Sequence, residues 1–212
     1  MSKSHHLIGL CALLLFVLPS AAQQIVYSSA RALAEGRGDT VSTLCVERRT
    51  LNQLYLMGGA DYRIESSDNP SFSRYLRKRC YAVRIDTVLY VNCRKMRYKR
   101  YRLGGWYAPA LERMGRIFYA AQPVGQAATK TLTPVYTQKL RGEVGDAIQA
   151  SGLVDKRVYY ELDVETGRSY FVDKERMREL LLLSGRPDLL QEFEKETSEA
   201  AEVMVKYLLR LE

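Results

Sequence analysis

The sequence predicts an α+β fold, a mostly antiparallel β-sheet core with flanking helices and a helical C-terminus. Three observations carry this. The β-rich runs Arg79–Ile85 and Val88–Cys93 are separated only by Asp86-Thr87, a connection short enough for antiparallel pairing alone. A second pair, Arg157–Asp163 and Arg168–Val172, flanks the turn signal Glu165-Thr166-Gly167. From Asp173 onward the apolar spacing changes from two to that of a helix.

The elements follow in order. Met1–Ala22 reads as an export signal, with Lys3, an apolar run of twelve residues from Leu7 to Leu18, Pro19, and the small residues Ser20-Ala21-Ala22 before Gln23. Twelve apolar residues fall short of the about 20 that cross a bilayer, so the segment is expected to be cleaved and to leave no transmembrane span. Tyr27–Glu35 has helical composition and stops at Gly36-Arg37-Gly38. Val41–Arg49 and Leu54–Met57 read as extended, the second ended by Gly58-Gly59. Asn69 and Pro70 open a short helix over Ser71–Lys78.

Beyond the first hairpin, Tyr98–Arg102 alternates aromatic and basic residues, and Ile117–Ala121 reads as a strand. Pro123–Pro134 has loop composition, and Leu140–Leu153 places Leu140, Val144, Ala147 and Ile148 at helical spacing. Three helices end the chain, from Asp173 to Leu183, Asp188 to Lys195 and Ser198 to Leu211. The expected organisation is a leader over 1–22, a β-rich domain over 23–173 and a helical segment over 174–212 packed on it.

Pairing Ile85 with Val88 makes Cys80 and Cys93 direct cross-strand partners on a non-hydrogen-bonded position. In an oxidising compartment that register predicts a Cys80–Cys93 disulfide and leaves Cys45 as a buried free thiol. The rival outcomes are Cys45–Cys80, Cys45–Cys93 or three reduced thiols.

Several chemistries are excluded. His5 and His6 are the only histidines and leave with the leader, so imidazole-dependent hydrolysis and histidine zinc sites have no residues to use. The cysteines lack C-x-x-C spacing and there is no glycine-rich phosphate loop, so no metal or cofactor is implied. Carboxylate chemistry stays open, because a glycosidase needs only two acids on facing elements; Asp61, Glu65, Asp86, Glu112, Asp163 and Glu165 are all available.

Charge is the strongest functional signal. The chain carries a formal +8, and Arg77–Arg116 holds twelve Lys or Arg against Asp86 and Glu112. Within it Arg94, Arg97, Tyr98, Lys99, Arg100, Tyr101 and Arg102 form the candidate contact surface, with Trp106 beside it as a stacking platform or a core residue. Read as a strand, the run puts Arg94, Met96, Tyr98, Arg100 and Arg102 on one face. An exported protein meets anionic lipid, lipopolysaccharide or acidic polysaccharide rather than genomic nucleic acid. The leading expectation is a non-catalytic envelope or secreted protein, binding or structural; the alternative is a carboxylate-dependent glycan hydrolase.

Five short islands also carry a likeness: Gly38-Asp39-Thr40, Gly59-Ala60-Asp61-Tyr62, Leu89-Tyr90-Val91-Asn92-Cys93, Tyr159-Tyr160-Glu161-Leu162-Asp163 and Val205-Lys206-Tyr207-Leu208. Through them the chain resembles an uncharacterised family of small exported bacterial proteins with a signal peptide, a β-rich middle and a helical C-terminus. That resemblance implies export and assigns no functional residue.

Overall fold

A computed structural model describes residues 23–131, 153 and 155–212. The leader and most of the helix expected over Leu140–Leu153 lie outside these residues. Twelve strands form one mixed sheet among them. They are β1 (Gln24–Tyr27), β2 (Asp39–Val41), β3 (Leu44–Arg48), β4 (Tyr62–Ser66), β5 (Ala82–Ile85) and β6 (Val88–Asn92). Next come β7 (Arg97–Tyr98), β8 (Tyr101–Arg102), β9 (Tyr107–Arg113), β10 (Arg116–Ala121), β11 (Val158–Asp163) and β12 (Arg168–Phe171). The helices are α1 (Ala30–Ala34), α2 (Leu51–Met57), α3 (Pro70–Lys78), α4 (Gln126–Thr131), α5 (Lys174–Leu183), α6 (Pro187–Glu194) and α7 (Ala201–Leu208).

Every strand pairing is antiparallel except β12 with β7. The order β6-β9-β10-β11-β12-β7 has a topological consequence. Strand β7 follows β6 after only the one-turn 3₁₀ helix Cys93–Lys95, so the chain itself closes this ring of strands. Alternation then sends one side chain in and the next out. Val91, Ala108, Ile117, Tyr119, Tyr160 and Leu162 fill the interior, while Phe118 and Val172 face outward.

Two layers cover the outer face. Helices α5 to α7 bring Met177, Leu180, Leu181, Phe193, Met204 and Tyr207 onto Phe118 and Val172. Helix α3 brings Leu76 onto Val83, Cys80 and Tyr107, with Ile64 of β4 beside them. The first hairpin is therefore covered on both sides. Three of the buried tyrosine hydroxyls are satisfied: Tyr107 donates to the Leu76 carbonyl at 2.8 Å, Tyr160 donates to the Gln122 carbonyl at 3.2 Å, and the Tyr119 and Ser169 hydroxyls lie 2.6 Å apart.

The first hairpin keeps the expected register, Ile85 with Val88 through Ala82 with Val91, and the Asn92 amide still reaches the Tyr81 carbonyl. The disulfide is overturned: Cys80 and Cys93 are separate buried thiols. Alternation slips at Tyr81 and Ala82, which both enter the interior cluster, because both lie opposite Tyr27 as in a β-bulge. Cys80 is thereby turned to the outer face, where its thiol donates to the Ala82 carbonyl at 3.2 Å, while Cys93 points inward at the start of the 3₁₀ turn. Cys45 is exposed, since Leu44 takes the core-facing position of β3.

Four local assignments also change. Leu54–Met57 is the second half of a helix, not a strand; the Thr50 side chain accepts from the Gln53 amide and Gln53 answers the Thr50 amide, a capping box. Tyr27 belongs to β1 and the first helix starts at Ala30, capped by Ser29. The run 94–102 is a 3₁₀ turn and a tight hairpin rather than one strand, because Lys99 adopts φ +52° at the bend. The connection after Pro123 includes helix α4.

Candidate functional site

The basic run folds as a ledge along one edge of the ring. Met96 and Tyr98 are buried, Tyr98 lying against Tyr160 and Phe171 with ring centroids 5.6 and 6.5 Å away. That anchorage leaves Arg94, Arg97, Lys99, Arg100 and Arg102 exposed, with Tyr101 half-buried and the Arg100 guanidinium 5.2 Å from its ring. Tyr98 is thus a core residue that holds the hairpin, and Tyr101 is the aromatic side chain left near solvent.

Helix α3 extends the ledge. The Asn92 amide donates to the carbonyls of Leu76 and Cys80, at 3.1 and 2.9 Å, tying the end of α3 to the start of the 3₁₀ turn. The segment that carries Arg77, Lys78 and Arg79 is thereby joined to the turn that carries Arg94 and Lys95. From Arg74 to Arg102 only Arg84 is ion-paired among the described residues, with Glu112 at 2.8 Å. Arg74, Arg77, Lys78, Arg79, Arg94, Lys95, Arg97, Lys99, Arg100 and Arg102 form no salt bridge among the described residues. Elsewhere the pattern reverses: Arg178 with Glu194, Arg186 with Asp188, Lys206 with Glu192 and Arg210 with Glu192 neutralise the helical unit. The uncompensated charge is concentrated in the stretch from Arg74 to Arg102.

Trp106 stands at the end of this ledge and is held in an unusual backbone conformation. Its φ is +72°, a region that bulky L residues avoid at a cost of about 1–3 kcal/mol. Three contacts hold it there. Its carbonyl accepts from the Cys93 amide at 2.8 Å, and the guanidiniums of Arg49 and Arg63 lie 5.2 and 5.8 Å from its ring. Arg49 is buried and donates to the carbonyls of Gly58, Ala60 and Gln53 at 2.7–2.8 Å, so it closes the end of α2. Burial pushes its guanidinium below the ordinary value, against the pull of Asp61. Asp61 is itself paired with Arg157.

Two glycine pairs bring these parts together. Gly59, at φ +84°, lies against Gly105, and a methyl group there would sit 2.5 Å from the Gly105 carbonyl oxygen. Gly104, also at φ +84°, lies against Gly59, and the Ala60 amide donates to the Gly105 carbonyl at 2.9 Å. This backbone contact places the end of α2 beside Trp106. Arg49, Gln53, Met57, Arg63, Arg77 and Trp106 line a hollow of about 190 Å³ there. Neither Arg49 nor α2 was singled out from sequence, although the Thr50-x-x-Gln53 box and the two Gly-Gly pairs were legible signals.

A larger open cleft, about 680 Å³, lies where β11 and β12 meet the Lys99 turn, with Tyr98, Tyr170, Phe171, Arg116 and Arg176 on its walls. Its three acids are Glu161, Asp163 and Glu165. Glu161 is buried and gives one oxygen to Arg116 and the other to Arg176. Asp163 accepts from the amides of Glu165 and Thr166 and from the Thr166 hydroxyl, which holds its carboxyl below the usual range. Of the three, only Glu165 has oxygens without a partner among the described residues. Asp86 and Glu112, the other acids of the basic stretch, lie at a turn with φ +53° and in the Arg84 pair.

No group of His, Cys, Asp or Glu that could hold a metal occurs among the described residues, and no helix there is long and apolar enough to cross a membrane. A family model matches residues 25–212, so this chain belongs to a family of unknown function, DUF6563. No curated protein and no solved structure matches the chain.

Proposed function

We propose that this protein is a non-catalytic, exported envelope protein that binds polyanionic surfaces through the ledge formed by α3, the 3₁₀ turn and the β7–β8 hairpin. One observation carries the reading: ten cations between Arg74 and Arg102 have no carboxylate partner among the described residues, in a molecule whose other cations are mostly paired. Guanidinium and ammonium groups held on a hairpin and a helix end match phosphate or carboxylate oxygens without needing a pocket. Export rests on the Met1–Ala22 leader, and it makes envelope polyanions the available targets.

The alternative, a carboxylate-dependent glycan hydrolase, has weaker support. Such a reaction uses two acids with different protonation, and in the cleft Glu161 and Asp163 are committed to arginines and to a turn.

Heparin chromatography of the secreted protein tests the proposal. We expect retention that weakens as salt rises, and near-complete loss of retention in R97S/K99S/R100S with the circular dichroism spectrum unchanged. Equal retention of the triple variant and wild type would remove the ledge as the binding face. Intact mass of the secreted protein tests export, with Gln23 as the expected first residue; a chain beginning at Met1 would overturn that part.

A further inference from the structure

We propose that α2 is the apolar element that seats this protein on an anionic lipid bilayer, with Trp106 and Arg77 at headgroup level. The inference rests on the polyanion-binding reading and names the surface bound.

Helix α2 is apolar on the wrong side for a core helix. Only Leu54 is buried, whereas Leu51, Tyr55, Leu56 and Met57 are 58%, 54%, 86% and 66% exposed. The segment Leu51-Asn52-Gln53-Leu54-Tyr55-Leu56-Met57 carries no charge, so moving it from water into lipid strands no ion. At seven residues it cannot span a bilayer, which takes about 20, but it can lie in the interface with its side chains among the upper acyl carbons.

Its surroundings specify lipid rather than another apolar partner. Arg77, which is not ion-paired, Arg49 and Trp106 share the hollow with Met57, so the apolar helix is continuous with the basic ledge. Tyr55 and Trp106 are the residue types that favour the boundary between headgroups and acyl chains. The acids nearby are offset: Glu65 pairs with Arg63 at 2.6 Å, Glu47 lies opposite Arg63 in the β3–β4 register, and Asp61 pairs with Arg157. An apolar wedge rimmed by surplus cations complements an anionic bilayer. The other exposed leucines, Leu182, Leu183 and Leu209, lie on α5 and at the end of α7, in the helical unit whose arginines are already paired. They serve as the internal control.

Trp106 is the only tryptophan in the chain and reports directly on insertion. The mature protein is mixed with phosphatidylglycerol/phosphatidylethanolamine vesicles or with phosphatidylcholine vesicles, and flotation, Trp106 emission and heparin retention are measured together. We expect flotation and a blue-shifted Trp106 spectrum with the anionic vesicles only. L56S/M57S should weaken vesicle binding at least tenfold with heparin retention unchanged, and L182S/L183S should behave as wild type. Flotation with no change in Trp106 emission, or equal flotation of L56S/M57S and wild type, would overturn the seating of α2 while leaving the polyanion reading intact. A wild-type dimer dissolved by L56S/M57S would also overturn it, by making a second copy the occupant. Absence of both heparin retention and flotation would instead bring down the underlying reading. Should L56S/M57S fail to fold, the wild-type Trp106 response to the two vesicle types decides.

Discussion

A thiol sealed in an apolar interior keeps its proton, because the thiolate would lose its hydration without gaining a cation. Burial pushes Cys93 up to about 12 and Cys80 up to about 11. Of Cys45, Cys80 and Cys93, only Cys45 should react with a maleimide in the native protein, the other two following on unfolding in urea. Native labelling of Cys80 or Cys93 at the rate of Cys45, read by peptide mass, would contradict their burial. Arg49 is the other residue on which much depends. Replacing it with Met leaves the Gly58, Ala60 and Gln53 carbonyls without their donor and removes the cation over Trp106, so R49M should lose about 2–4 kcal/mol in urea denaturation. A loss below about 0.5 kcal/mol, the size of an ordinary surface change, would mean that water replaces the guanidinium at no cost.

At the scale of elements, the contact between Gly58-Gly59 and Gly104-Gly105 decides where α2 and Trp106 meet. Gly59→Ala meets both a positive φ and a backbone oxygen 2.5 Å from the new methyl group, and should cost about 2–4 kcal/mol. Gly115→Ala also sits at positive φ, +68°, but in open space, and should cost only about 1 kcal/mol. Equal losses in the two melts would mean that the close approach adds nothing. The hairpins β5–β6 and β11–β12 were legible because alternation, turn residues and strand length agree there. Helices α3 and α5 were legible from Asn69-Pro70 and Asp173, whose side chains accept from the amides of Phe72 and Arg176. Helix α2 was missed because its apolar residues do not follow a buried stripe: the helix exposes them. Strand β9, with Pro109 in its midst and side chains in three clusters, has no clean period of two. The Cys80–Cys93 pairing failed for a reason that composition does not carry, the slip in alternation at Tyr81 and Ala82.

For the whole molecule, the closed ring of strands has buried many weak acids along with its hydrocarbon. Tyr81, at 7% exposure, is pushed up to about 12 by burial, and its hydroxyl is without a hydrogen-bond partner among the described residues. Burial also raises Tyr107, Tyr119 and Tyr160 well above the ordinary value of 10.0, and raises Cys80 and Cys93 from 9.0. Each of these groups binds its proton more tightly folded than unfolded. Their contribution to stability is therefore complete below about pH 9 and is lost as pH rises through 9 to 12. Thermal melts should fall steeply across that window. Absorbance at 295 nm should resolve the fifteen tyrosines into an early group and a late group, the late group ionising together with loss of the near-ultraviolet circular dichroism signal. The late step should be irreversible on the timescale of mixing only if the unfolded chain aggregates, so it is best followed by stopped-flow at low protein concentration. Ionisation of all the tyrosines in one step near pH 10, with the fold retained, would show that the ring interior admits water and hydroxide freely. That result would contradict the packing of Tyr119 against Tyr160, ring centroids 5.8 Å apart, which fills the interior.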